Sequence, residues 1–263
     1  MFKVLHGPAQ ATAYDEAMTW TRTESGTAAD KAGQPAHSQT LSRGIRTLEL
    51  LAQAPGPLTI AELASALGVH RSIAYRILRT LEDHSLVVRD SAGRLAPGPG
   101  LATLARSVSA DLQSAALPEL TRLSEDLGMT AFAVVWDHEE CVTLVAVEPR
   151  NAGPTLAQHP GTRHPVANGA PGIALQSLYS PAQWRNLVPT QEYRPAAADA
   201  AQLGYATSHD EVIRGLSSVA APVRIPGKRP AAVAVVYVQT GQKDALIGEA
   251  VRAAAARIEA ALA

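Results

Sequence analysis

Arg71, Ser72, Tyr75, Arg76 and Arg79 are the most chemically pointed residues of this sequence, and they recur three and four positions apart. A helix starting at about Arg71 carries them on one face and leaves Ile73, Ile77, Leu78 and Leu81 for the buried side. Guanidinium and hydroxyl groups on an exposed helix face can donate to phosphate oxygens and to base edges in a major groove, and arginine does either. The competing reading is an amphipathic helix of an all-α domain with a solvated basic face.

Other constellations carry less. The chain has no G-x-S-x-G elbow and no C-x-x-C pair, and its single cysteine, Cys141, falls in an expected strand as a small core residue. His159 and His164 bracket HPGTRH without a third ligand at a suitable spacing, so no metal site is expected. His209, Asp210 and Glu211 read as a solvated loop or an oligomer contact rather than as acid–base machinery. The expectation is a protein that is not an enzyme and needs no cofactor.

The elements that would position the basic helix are legible on both sides of it. Thr59 and Glu62 make a T-x-x-E capping box, Leu58 and Leu63 can close a hydrophobic staple, and Leu63, Ala64 and Leu67 give a buried stripe. Gly68 supplies the left-handed residue that ends this short helix. Helix, turn and basic helix make a helix-turn-helix, whose second helix enters the major groove by its N-terminal half. A helix over residues 42–54 precedes it, with Leu41, Ile45, Leu48, Leu51 and Ala52 inward, and Pro55-Gly56-Pro57 ends that helix. Two short strands around a Gly-containing turn follow, a wing with Arg89 and Arg94 at its shoulders. Arg43, Thr59, Arg89 and Arg94 therefore join the helix face as candidate DNA contacts. Residues 39–97 hold seven arginines against five acids in a chain whose net charge is −1, so any nucleic-acid surface must be local.

Hydrophobic residues make up 46% of the chain and charged residues 18%, which suits packed cores. Residues 1–38, dominated by small and polar types, read as a disordered tail. Residues 39–98 read as the winged helix-turn-helix and 99–115 as a linker helix, with Leu101, Leu104 and Val108 on one side. Residues 116–263 read as an α/β domain. Its first helix spans about 116–127, with Pro118 in the first turn and Leu117, Leu120 and Leu123 inward. From Thr130 the pattern turns to strands, joined first by the turn 137–140, then mixed with helices at 168–178, from Ser180, at 196–203 and at 243–262. The fold class is thus α+β. No apolar run is long enough for a membrane span, and a lone cysteine suits a reducing cytoplasm.

From about residue 41 to 262 this order resembles the isocitrate lyase regulator (IclR) family of bacterial transcription factors. The resemblance is carried by LGVHRSIAYRILRTLEDHSLVVRD, RLAPGPGLATLA, HPVANGAPGIAL and GYATSHDEVIRGLSSVAAPV followed by AAVAVVYV. It implies a winged helix-turn-helix, a linker helix and a C-terminal effector-binding domain similar to a GAF fold. It also implies a homodimer or dimer of dimers on a palindromic operator of double-stranded DNA. Arg71, Ser72, Tyr75 and Arg76 match its recognition-helix positions. Its effector pocket would be bordered by the loop Asn168, Gly169, Ala170, Pro171 and Gly172, by Ser208 where the family has an acid, and by Ser218 where it has a cysteine. Leu216 and Ser217 lie beside Ser218, and Val235 and Tyr237 stand in place of two small polar residues. The usual histidine near Ala167 and lysine near Ile173 are missing. These departures imply an apolar-walled pocket with a few hydroxyls, suited to a small apolar or aromatic effector. Ser217 or Ser218, with open N–H groups at the helix start after Asn168, would hold one carboxylate or carbonyl oxygen. The alternative is a winged-helix protein-interaction module whose second domain only dimerises.

Overall fold

The computed structural model describes residues 38–150, 158–238 and 244–263. The expected disordered tail lies almost wholly outside these residues. The chain divides into two compact units after Ala110.

In the first unit α1 spans Gln39–Gln53, α2 Ile60–Ala66 and α3 Arg71–Asp83. Thr59 and Glu62 form the expected reciprocal capping box. Gly68, at a φ of 63°, makes the turn between α2 and α3. Leu51, Leu63, Ile77, Leu78 and Leu81 pack with Val87 and Leu95 into one core. The wing is the antiparallel pair β1 (Val87–Arg89) and β2 (Leu95–Pro97). Its turn is held by Asp90 Oδ1, which accepts the N–H groups of Ala92 (2.9 Å) and Arg94 (2.8 Å). Leu58 and Leu95 exchange backbone hydrogen bonds, so the wing is pinned to the segment that starts α2.

Two apolar assignments rotate. Leu41 and Ile45 are 64% and 51% exposed, Ala52 is exposed, and α1 buries Gly44, Thr47 and Leu51 instead. The Thr47 hydroxyl donates to the Arg43 carbonyl one turn back (2.8 Å), so a polar residue sits inward with its proton satisfied. In α3 the inward position expected for Ile73 belongs to Ala74, and Ile73 is exposed.

The linker also differs. A short α4 (Gly100–Ala105) is followed by residues 106–109, with Ser109 in the left-handed region (φ 48°), and α5 then runs over Ala110–Leu127. The expected break near residue 115 lies earlier, and Pro118 is inside α5 rather than in its first turn. Proline there removes one helical bond, to the carbonyl of Ser114, an exposed residue. Leu117 is exposed, and Leu112, Ala116, Leu120 and Leu123 form the buried stripe.

The second unit is built on six antiparallel strands: β3 (Thr130–Asp137), β4 (Glu140–Val147), β5 (Arg163–Pro165), β6 (Ala206–His209), β7 (Leu216–Val223) and β8 (Ala231–Val238). Their order is β5-β4-β3-β8-β7-β6. The remaining helices are α6 (Gly169–Gln176), α7 (Pro181–Leu187), α8 (Pro195–Leu203) and α9 (Asp244–Leu262). One face of the sheet packs against α5 and α9 through Leu120, Val233, Val235, Val251 and Ile258. The other packs against α6, α7 and α8 through Phe132, Val134, Ile173, Trp184 and Ala234. Cys141 is fully buried on this second side, as expected of a core residue, and burial pushes its thiol pKa up. Every residue of α6 is buried, which explains its small and apolar make-up. A Cβ at Gly172 would stand 2.0 Å from the Val166 carbonyl oxygen, so only glycine lets α6 lie this close to the preceding strand connection.

Candidate nucleic-acid interface and effector cavity

On α3 the side chains of Arg71, Ser72, Tyr75, Arg76 and Arg79 are all exposed, as the spacing requires. Arg71, Arg76 and Arg79 enter no ion pair among the described residues, so their guanidinium groups stay available. Ser72 is tied locally, its hydroxyl 2.9 Å from the ring of His70, which caps the helix. Arg89 reaches back from the wing to Glu82 and lies over the Tyr75 ring, 5.9 Å from its centroid. Arg94 donates to the Pro57 carbonyl (3.3 Å). The Thr59 hydroxyl donates to Glu62 (2.8 Å), so its proton serves the cap of α2. Arg43 is half-buried on α1. The expected contacts thus fall into a free row on α3 and a set already engaged within the fold.

In the second unit a small, partly open cavity lies between the sheet, the start of α6 and the loop 210–215. Of the expected effector residues, Gly169, Pro171, Ser208, Leu216, Ser217 and Ser218 line it. Ser208 and Ser218 are cross-strand partners, which places their hydroxyls side by side. Asn168 and Ala170 are not among its lining residues.

Val235 and Tyr237 are misplaced by the sequence reading. Ser218 pairs with Val236, and Val236 is the β8 residue in the cavity wall. Successive strand residues face opposite sides, so Val235 and Tyr237 join the core under α5 and α9. There Tyr237 donates to Asp244 (2.7 Å), and burial, helped by that carboxylate, pushes the phenol pKa up.

The start of α6 corrects a second expectation. Its N–H groups are not open: Gly169 donates to Glu211 Oε2 (2.9 Å) and Ala170 to Ser208 Oγ (2.8 Å). Arg194, at the cap of α8, holds Glu211 at 2.6 and 2.8 Å. The Arg194 guanidinium, aided by the Gly169 N–H, keeps the Glu211 carboxyl below the usual carboxylate range. Glu211 is therefore not a free, solvated loop residue; it is an internal cap.

Seven more wall residues come from outside the expected set: Phe132, Gln158, His164, Glu211, Val212, Ile213 and Val236. Phe132 and Val236 supply apolar surface, and His164 supplies a polar atom. His164 is 6% exposed, its Nε2 has no hydrogen-bond partner, and burial depresses its pKa to about 4. The period-2 pattern of β3 and β8 holds the signal for Phe132 and Val236, given the register. His164 stands in a three-residue strand that offers no such pattern.

With this geometry in view, comparisons place the chain. The IclR helix-turn-helix domain matches residues 40–91, and the bacterial transcriptional regulator IclR C-terminal domain matches residues 105–260. The HTH-type transcriptional regulator Rv1719 of Mycobacterium tuberculosis is 29% identical over 154 residues, spanning 58% of this chain and 59% of that protein. An IclR regulator from Alicyclobacillus acidocaldarius superposes with a TM-score of 0.73 at 26% identity, covering 87% of this chain and all of that one. An IclR homolog from Microbacterium hydrocarbonoxydans, solved with 4-hydroxybenzoate, gives 0.74 at 23% identity over 85% of this chain and 98% of that one. Among the described residues no helix is long and apolar enough to cross a membrane. The two domain matches, the winged helix-turn-helix and the six-stranded second domain together establish that this chain belongs to the IclR family of bacterial transcriptional regulators.

Proposed function

We propose that this regulator binds a palindromic operator, as a homodimer or dimer of dimers in the cytoplasm, and controls a catabolic operon in response to a small apolar or aromatic effector. The observation that carries the DNA half is the exposed α3 face on which Arg71, Arg76 and Arg79 have no ion-pair partner among the described residues. A two-fold operator suits two such helices related by symmetry. The effector half is supported by the cavity, whose walls are mostly apolar with two adjacent hydroxyls. The aromatic acid bound by the Microbacterium homolog shows that a protein of this fold can take a single ring. Occupancy would act by shifting the population of DNA-competent arrangements.

The test is to sequence the DNA fragments retained by the purified protein, with and without single-ring aromatic compounds, at two salt concentrations. A recovered palindrome whose retention falls steeply with salt supports the reading, because phosphate contacts release counterions. Retention without any shared sequence, or at a level indifferent to salt, contradicts it.

A further inference from the structure

We infer that the effector is an uncharged molecule whose hydroxyl group pairs with His164 and Ser208 while its apolar body lies against Phe132 and Val236. This rests on the cavity being the effector site. Four observations lead to it. Among the described residues, no lysine or arginine lines the cavity. The one acid in the wall, Glu211, is already matched by Arg194 and would repel a ligand carboxylate. The two N–H groups at the start of α6 that could have received an anion are taken by Glu211 and Ser208. An acidic ligand would thus lose its hydration and meet no compensating charge.

The fourth observation points to what the cavity does lack. His164 Nε2 is buried and unpartnered, and a buried polar atom left unpaired costs free energy that a ligand can recover. The ring is neutral at pH 7, because burial holds its pKa at about 4, so it seeks one hydrogen bond rather than a counter-charge. Ser208 accepts the Ala170 N–H and keeps its own proton to give. Ser218 donates to the Val235 carbonyl (2.9 Å) and keeps lone pairs to accept. A hydroxyl, which both donates and accepts, satisfies this set in either tautomer of the His164 ring; a carboxylate, which only accepts, leaves the Ser218 lone pairs unmet, and His164 Nε2 as well when that nitrogen is unprotonated.

Titration calorimetry at pH 7.5 with benzyl alcohol, toluene and benzoate, three probes sharing one ring, decides the matter. The alcohol should bind about tenfold or more tightly than toluene, and benzoate weakest of the three. His164→Leu should lose about tenfold for the alcohol and leave toluene unchanged or improved. Because a buried substitution can disturb folding, the comparison of probes on the unaltered protein stands by itself. Benzoate binding as tightly as the alcohol, or toluene equalling the alcohol, overturns the inference while leaving the cavity as an effector site. Binding by none of the three removes both the site and the inference.

Discussion

Arg194 grips both carboxylate oxygens of Glu211, at 2.6 and 2.8 Å, while Glu211 takes the Gly169 N–H at the first turn of α6. One acid thereby joins the loop 210–215, α6 and α8. Arg194 Nη1, which also serves Glu211, donates to the Ala167 carbonyl (3.1 Å), and the Arg194 backbone N–H donates to Gln176 Oε1 (2.9 Å). The loop is closed on itself by Asp210 Oδ1, which accepts the Gly215 N–H (2.6 Å).

Removing either partner should cost more than the pair is worth. Arg194→Met leaves a partly buried carboxylate, and Glu211→Gln leaves a partly buried guanidinium. Each should destabilise by about 1–2 kcal/mol, since charge-assisted bidentate bonds exceed neutral ones but solvent still reaches this pair. A double-mutant cycle by urea denaturation should give a coupling of about 0.5 kcal/mol or more. Strictly additive losses would show that the two groups do not act together.

On the DNA side, Arg76→Ala should weaken operator binding by about 1–3 kcal/mol and relax preference at one base pair. Arg89→Ala should cost less and do so alike on every sequence, because Arg89 is committed to Glu82 and the Tyr75 ring. Gel-shift titrations on the operator and on scrambled DNA distinguish the two. Equal, sequence-blind losses would demote Arg76 to a phosphate contact.

The elements were largely legible in the sequence, because local signals mark them. The capping box at Thr59–Glu62 stands where the pattern places it, and the helix expected from Ser180 opens there. So does the left-handed turn at Gly68. What failed was non-local. Assigning Val235 and Tyr237 to the cavity required the β7–β8 register, and a slip of one residue reverses every side chain. Glu211 and Arg194 became a cap only once the fold brought residues 169, 194 and 211 together. Thr47 misled because its hydroxyl bonds within its own helix, a contact no hydropathy pattern shows.

The first unit leaves Leu41 and Ile45 of α1, and Leu104 after the wing, exposed. Apolar side chains left open in this way mark an association surface when they are contiguous. Light scattering should therefore give a homo-oligomer at micromolar concentration without DNA. Ile45→Glu should lower the mass or weaken operator binding without lowering the melting temperature. A monomer for the unaltered protein would contradict the proposed pairing of two recognition helices.

His164 gives the last expectation, a pH dependence of stability. Burial holds its pKa at about 4 in the folded protein, against an ordinary 6.5, and the nearby Glu140 offsets only part of this. Between those values the unfolded chain takes up a proton that the folded one refuses, so stability falls as pH drops through this window and is intact above about pH 7. At pH 5 the loss from this single group is about 2 kcal/mol. The carboxylates behave differently. Glu211, lowered by Arg194, Glu62, lowered by the Thr59 cap, and Asp137, lowered by His138, contribute stability above the ordinary carboxylate range and lose it only as pH falls through their depressed values. Among these four groups the interval from pH 6.5 to 5 belongs to His164. Urea unfolding at pH 7.5 and 5.0 should show the loss in the unaltered protein at a constant m-value, and His164→Phe should remove it. The same loss in His164→Phe would trace the pH dependence to another group.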